Sequence, residues 1–236
     1  VLRVRSGRTA LCVSSQVGCG ADCAFCATGK LGLLRNLTSG EILDQIVQAN
    51  RLLATEDRRV RNIVFMGMGE PFHNEPALYE TLDALSHPEC FHHAPSQTSV
   101  STVGIPEGML RCARRFPRVR LALSLHSARE EVRQRIIPNA LRVSLAELRA
   151  AVEEVTSIQG QPVMLEYLML EGTNDGDLDQ QALVEWAEGL SVHINLIPYN
   201  PIADAPKLRS TPKPRRKAFA NALKARGLDR KSTRLN

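Results

Sequence analysis

What most limits the fold of this chain is a sixfold repetition of one unit, a short apolar strand followed by an amphipathic helix. Residues 9–17 read as the first strand. Thr38-Ser-Gly-Glu41 then opens a helix as a capping box, with Ile42, Ile46 and Leu53 on one apolar face. Residues 62–68, 98–103, 119–127, 163–170 and 193–198 continue the strand series. Helices are expected over 75–85, from Pro106, around Leu148, Val152 and Val155, through Leu178, Ala182, Trp186 and Leu190, and over 214–225.

Repeated units of this kind demand a parallel α/β sheet with right-handed crossovers. A doubly wound sheet and a sheet curled into a barrel both satisfy the pattern, and both collect functional groups at the carboxyl ends of the strands. Those ends carry a cysteine-rich loop, Gly67-Met-Gly-Glu70, Ser101, residues 124–127, Asn174-Asp175 and Asn200. In the fourth strand Val119, Leu121, Leu123 and Leu125 alternate with Arg120, Ala122, Ser124 and His126. The large aliphatics are expected to face helices, and the small polar residues a side open to a ligand.

At 43% hydrophobic and 23% charged residues the 236-residue chain is not a disordered one, and no apolar run approaches the roughly 18 residues of a membrane span. Six cysteines are too sparse for a secreted disulfide framework, and no secretory signal is read at Val1, so a reducing, cytoplasmic setting is expected. The net charge of +5 includes +2 from the last eight residues. Two basic runs stand out, Arg111, Arg114, Arg115, Arg118 and Arg120, then Lys207, Arg209, Lys213, Arg215, Arg216 and Lys217. From sequence each reads equally well as solvated surface or as phosphate contact.

The stretch VGCGADCAFCATG (17–29) places Cys19, Cys23 and Cys26 in one glycine-containing loop. Inert core thiols belong on strands and helices instead. A structural zinc site needs four ligands, and no second close pair follows, although Cys90, His92 and His93 could contribute from a distance. An iron–sulfur cluster held by three thiolates leaves one iron open for chemistry. MGMGEP (66–71) is not a dinucleotide loop, because Phe72 stands where the third glycine would fall.

The Cys-x3-Cys-x-aromatic-Cys pattern, with Phe25 in the aromatic slot, resembles the radical S-adenosylmethionine superfamily. That resemblance implies a partial (β/α)6 TIM-like barrel and a 4Fe-4S cluster on Cys19, Cys23 and Cys26. Its open iron chelates S-adenosylmethionine and delivers the electron that splits it into a 5′-deoxyadenosyl radical. It also implies that Gly69 and Glu70 receive the methionine amino group of the cofactor, where a carboxylate suits an ammonium.

Taken together, CVSSQVGC (12–19), MGMGEP, SLH (124–126), NDG (174–176) and NLIPYNP (195–201) resemble the RlmN-type adenine C2-methyltransferases of ribosomal and transfer RNA, over residues 3–228. The likeness implies cofactor contacts at Ser101, Leu125, His126, Ser127 and Asn200. It implies a catalytic role for Cys12 in releasing a covalent RNA adduct, and a second cysteine that carries the methyl group. It further implies a 23S ribosomal RNA substrate with transfer RNA as another, a flavodoxin-like electron donor, and a monomer. C8-directed relatives share the three cysteines. A zinc-stabilised RNA-binding module would explain the cysteines and basic runs without catalysis.

Neither the methyl-carrying cysteine nor a glutamate ahead of Cys12 is found in this sequence. The core, residues 1–228, is therefore expected to bind cluster and cofactor without methylating RNA. Residues 229–236 read as translated sequencing-adapter DNA and are expected to be a non-native tail.

Overall fold

The structure, a computed structural model, describes residues 2–3, 9–138 and 142–228. The expected tail at 229–236 lies outside the described residues.

Two extended segments open the chain, β1 (Leu2–Arg3) and β2 (Thr9–Cys12), and a two-stranded hairpin follows, β3 (Gln16–Gly18) with β4 (Leu33–Asn36). A short helix, α1 (Ala27–Lys30), lies inside that hairpin. The units that follow are α2 (Ser39–Ala54), β5 (Asn62–Phe65), α3 (Glu75–Ser86), β6 (Thr98–Thr102), α4 (Pro106–Arg115) and β7 (Arg120–Ser124). Then come α5 (Glu130–Ile136), α6 (Leu145–Gln159), β8 (Val163–Met169), α7 (Asp177–Ala187), β9 (Val192–Pro198) and α8 (Lys213–Ala225).

Six strands run parallel in the order β2-β5-β6-β7-β8-β9, with β1 antiparallel on the edge. The spatial order follows the chain order and never reverses. Every right-handed crossover therefore returns over the same face, and the sheet curls into a half-barrel with its other face open. This decides against the doubly wound alternative, which needs a point where the order reverses.

On the covered face Leu11, Ile63, Val100, Leu121, Leu123, Leu165 and Ile194 pack with Ile42 and Ile46 of α2, Leu78 of α3, Met109 of α4, Leu148 and Val152 of α6, Leu183 of α7 and Phe219 of α8. Helix α2 starts as expected. Thr38 Oγ1 accepts from the Glu41 amide at 3.2 Å, and Glu41 Oε2 accepts from the Thr38 amide at 2.9 Å. On the open face the register sets Ser124 beside Glu166 and Glu166 beside Asn195. Ser101 Oγ lies 3.5 Å from Ser124 Oγ, so a polar stripe crosses four strands.

Several expectations are corrected. The strand expected over 9–17 splits after Cys12, because Ser14, Ser15 and Gln16 leave the sheet to wrap the MGMGEP turn. Gly67 N donates to Val13 O at 3.0 Å, Met68 N to Ser14 Oγ at 3.0 Å, and Ser15 N to Met68 O at 2.9 Å. A Cβ on Gly67 would sit 2.6 Å from Ser14 Oγ and 2.7 Å from Val13 O, so this glycine is a steric necessity of the crossing. The same turn ends the next strand at Phe65 instead of residue 68. Helix α5 was not foreseen. In α7, Leu178 is 68% exposed and the buried face is formed by Leu183, Trp186 and Ala187. No described helix is long and apolar enough to cross a membrane.

Candidate active site

The carboxyl ends of the strands enclose a cleft of about 500 Å³. Cys19, Cys23, Phe25 and Cys26 line it from the loop between β3 and α1. Gly69 and Glu70 line it from the turn after β5, Ser101 from β6 and Val103 just after it, and Ser124 from the end of β7 with His126 from the turn that follows. Glu166 and Leu168 come from β8, and Tyr199 and Asn200 from the segment after β9. Residues spread over 182 positions of sequence thus share one wall.

The cysteine loop is anchored at both sides. Cys19 N donates to Gly32 O at 2.9 Å, and Ala24 N donates to Ile136 O at the end of α5 at 2.9 Å. Phe25 meets His126 edge to face, with ring centroids 4.8 Å apart at 88°. The aromatic slot of the motif is therefore a packing contact between the loop and the turn after β7.

All six cysteines are free. Burial pushes the Cys23 thiol up to about 12, with Cys26, Cys19 and Glu70 adding to the effect, and burial also raises Cys19. Thiols so placed ionise only against a compensating positive centre, which is the chemistry of a metal cluster's ligands. Arg133 is a second sign of an anionic occupant. It is 2% exposed, its Nη2 donates to Val103 O, its Nε has no partner, and its charge acts on Cys23. The donor set therefore fits an iron–sulfur cluster. Among the described residues no three His, Cys, Asp or Glu side chains stand at metal-binding spacing. Cys90, His92 and His93, weighed from sequence as distant zinc ligands, line a separate cavity with Thr9 and Arg61 at the amino-terminal end of the sheet.

Glu70 is 2% exposed. Its Oε1 accepts from Phe72 N at 3.1 Å and its Oε2 from Val103 N at 2.8 Å, while its own amide donates to Gln16 Oε1 at 2.9 Å. Burial still raises the carboxyl to about 7. Thr102 also hydrogen-bonds this carboxyl through its side chain, and an ammonium there would draw the group back to the carboxylate. Gly69 holds φ +105°, and a Cβ on it would lie 2.7 Å from Gln16 Cβ.

His126 also has a positive φ, +55°, and is 5% exposed. Its Nδ1 accepts from Leu168 N at 3.0 Å, and burial, with Arg133 nearby, lowers it to about 3. The ring is thus neutral. Asn174 fixes the turn around it, donating to His126 O and Leu168 O and accepting from Leu170 N, each at 2.7 Å.

The structure brings Gly69, Glu70, Ser101, His126 and Asn200 together with the three cysteines. It does not bring the side chains of Leu125 and Ser127 to the cleft. Leu125 is fully buried in the helix-side core, and Ser127 Oγ accepts from Arg129 N at 3.1 Å, so only their backbone could serve a ligand. Cys12 ends β2 exposed, beside the Met66 backbone, outside the cleft lining.

Sequence reasoning missed Arg133 and Glu166. A lone acid inside the apolar strand VMLEYLM was a readable signal for Glu166, whereas Arg133 sits among ordinary helix-face charges. Glu166 is 6% exposed, its Oε2 accepts from Asn195 Nδ2 at 2.7 Å, and burial pushes it up to about 7. An unfolded glutamate titrates near ~4.3, so the folded chain holds the extra proton between these values and loses stability as pH rises through them. Glu166→Gln keeps an acceptor for Asn195. It is expected to gain stability relative to the parent as pH rises from about 4.5 to about 7. Urea unfolding at fixed pH values reads this, and a flat or opposite difference contradicts it.

A cysteine loop closing one end of a half-barrel cleft is matched by the Radical SAM superfamily model over residues 13–182, and the chain belongs to that superfamily. Membership implies S-adenosylmethionine and an iron–sulfur cluster. Among its relatives, a probable RNA methyltransferase of Rhodopirellula baltica is 53% identical over 228 residues, covering 97% of this chain and 60% of that protein. The probable dual-specificity RNA methyltransferase RlmN of Thermus thermophilus is 42% identical over 221 residues, covering 94% and 62%. A radical SAM methyltransferase from Sphaerobacter thermophilus superposes with a TM-score of 0.93 at 39% identity, covering 95% of this chain and 66% of the other. The chain thus spans about three fifths of the length of the curated relatives it matches.

Proposed function

We propose that residues 1–228 form the core of a radical S-adenosylmethionine methyltransferase acting on C2 of an adenine in 23S ribosomal RNA, and in transfer RNA. The observation that carries this reading is the convergence of Cys19, Cys23 and Cys26 with Gly69, Glu70, Ser101, His126 and Asn200 on one cleft. The names of the similar proteins support RNA as the substrate class.

When bound, the cluster supplies the electron that cleaves S-adenosylmethionine reductively. The chain's own groups bind and orient. Glu70 and the Gly69 backbone receive the cofactor's ammonium, and Ser101 and Asn200 offer hydroxyl and amide contacts. Leu125 and Ser127 contribute through backbone groups. Neutral His126 lines the cleft without adding a charge beside a sulfonium. Cys12, exposed at the mouth of the sheet, serves the release of the RNA adduct. A flavodoxin-like electron donor and a monomeric, cytoplasmic state complete the reading.

Anaerobic reconstitution with iron and sulfide, followed by reduction with S-adenosylmethionine present, is expected to yield 5′-deoxyadenosine. A chain that takes up zinc, holds no iron and releases no deoxyadenosine would refute the reading. Mass analysis of RNA nucleosides treated with the full-length protein separates C2 from C8 methylation.

A further inference from the structure

The two basic runs visible in the sequence meet opposite fates in the fold. On α4, Arg111 pairs with Glu75 at 2.7 Å, Arg114 with Glu154 at 2.6 Å and Arg115 with Asp83 at 2.7 Å. Arg118 and Arg120 lie at the amino-terminal start of β7, the end of the sheet away from the cleft. That run is neutralised or misplaced.

The second run is neither. Arg215 is committed to Asp177 at 2.8 Å and to the Asp175 carbonyl, but Lys207, Arg209, Lys213, Arg216 and Lys217 make no ion pair among the described residues. Asp204 is the only acid between 201 and 217.

The segment is held at the cleft. Leu208 packs in the small core that contains Cys19, Cys23, Phe25 and Tyr199. With Leu208 turned inward, Lys207 and Arg209 on either side are exposed. Glu171 N donates to Arg209 O at 2.9 Å, and Leu170 bridges to Ser210, which ties the segment to the carboxyl end of β8. Helix α8 then begins with Lys213, Arg215, Arg216 and Lys217 and has no acid in its first turn. Cations there oppose the helix dipole, an arrangement that works against helix stability unless an anion joins it.

We propose that Lys207, Arg209, Lys213, Arg216 and Lys217 form the surface that grips the phosphate backbone of an RNA whose base enters the cleft. The proposal rests on the RNA-methyltransferase reading above and adds the surface to it. Charge complementarity favours a polyanion, and no large exposed apolar side chain falls between 201 and 217 to anchor a protein partner. Backbone contacts of this kind position the strand, and the choice of base is left to the cleft.

The test is fluorescence anisotropy with a labelled single-stranded RNA of mixed sequence, read across a series of salt concentrations. The triple variant K207Q/R209Q/K213Q is expected to flatten the dependence of log affinity on log salt by about 2, near 0.7 per lost phosphate contact. The double variant R114Q/R115Q, whose charges are already paired, is expected to leave the slope unchanged. Matching circular dichroism spectra confirm that each variant is folded. A triple variant with the parent's slope, or a control that loses as much, overturns the proposal. A parent chain that binds no RNA at the lowest salt overturns the RNA reading along with it.

Discussion

Cys23→Ser is expected to abolish iron uptake in anaerobic reconstitution while leaving the chain folded. Cys23 is 7% exposed in a loop fixed by Gly32 O and Ile136 O, so a near-isosteric hydroxyl leaves the packing in place. A serine hydroxyl stays protonated near neutral pH and is no replacement for a thiolate, and three ligands leave no spare. Neither Cys112, at 0% exposure in the α4 core, nor Cys90, in the cavity at the far end of the sheet, can stand in. Cys12→Ser is the matched control and is expected to retain the parent's iron, because Cys12 lies outside the cleft lining. Iron and sulfide assays with visible absorbance read both variants. Parent-like iron in Cys23→Ser would show that the loop is not the cluster's anchor.

Asn174→Leu is expected to destabilise the fold by at least about 3 kcal/mol. Asn174 is fully buried and makes three side-chain hydrogen bonds of 2.7 Å, to His126 O, Leu168 O and Leu170 N. Each partner left unsatisfied costs roughly 1–3 kcal/mol, and leucine returns none of it. The lost bonds also free the left-handed turn at His126, so the variant is expected to lose cofactor affinity beyond its loss of stability. Urea unfolding gives the first quantity, and calorimetric titration with S-adenosylmethionine below the unfolding range gives the second. A midpoint equal to the parent's would remove Asn174 from this role.

Much of this was legible in the chain. The capping box at Thr38 and Glu41 is a local motif whose partners lie three residues apart, and the alternation of Leu121 and Leu123 with Ala122 and Ser124 states which strand face is covered. The cysteine spacing and Phe25 were equally local. Other features depend on partners far along the chain. Leu178 looked apolar and periodic but finds no surface to meet. Helix α5 is only seven residues long, yet it supplies the carbonyl that pins the cysteine loop and the buried Arg133. Glu166 was one acid in an apolar run until the register set it beside Asn195.

By itself the sequence determined the repeating strand and helix units, the three-thiol loop with its aromatic, and the residue types gathered at the strand ends. These follow from short-range periodicity and spacing, which a chain carries in any conformation. Only the tertiary structure decided that the sheet curls, because strand order is a property of pairing between distant segments. It also separated the side chains of His126 and Glu70, which reach the cleft, from those of Leu125 and Ser127, which turn away. Finally, it paired Arg111, Arg114 and Arg115 of one basic run and left Lys207, Arg209, Lys213, Arg216 and Lys217 of the other without ion pairs among the described residues, since a side chain's charge is cancelled or kept only by what the fold brings beside it.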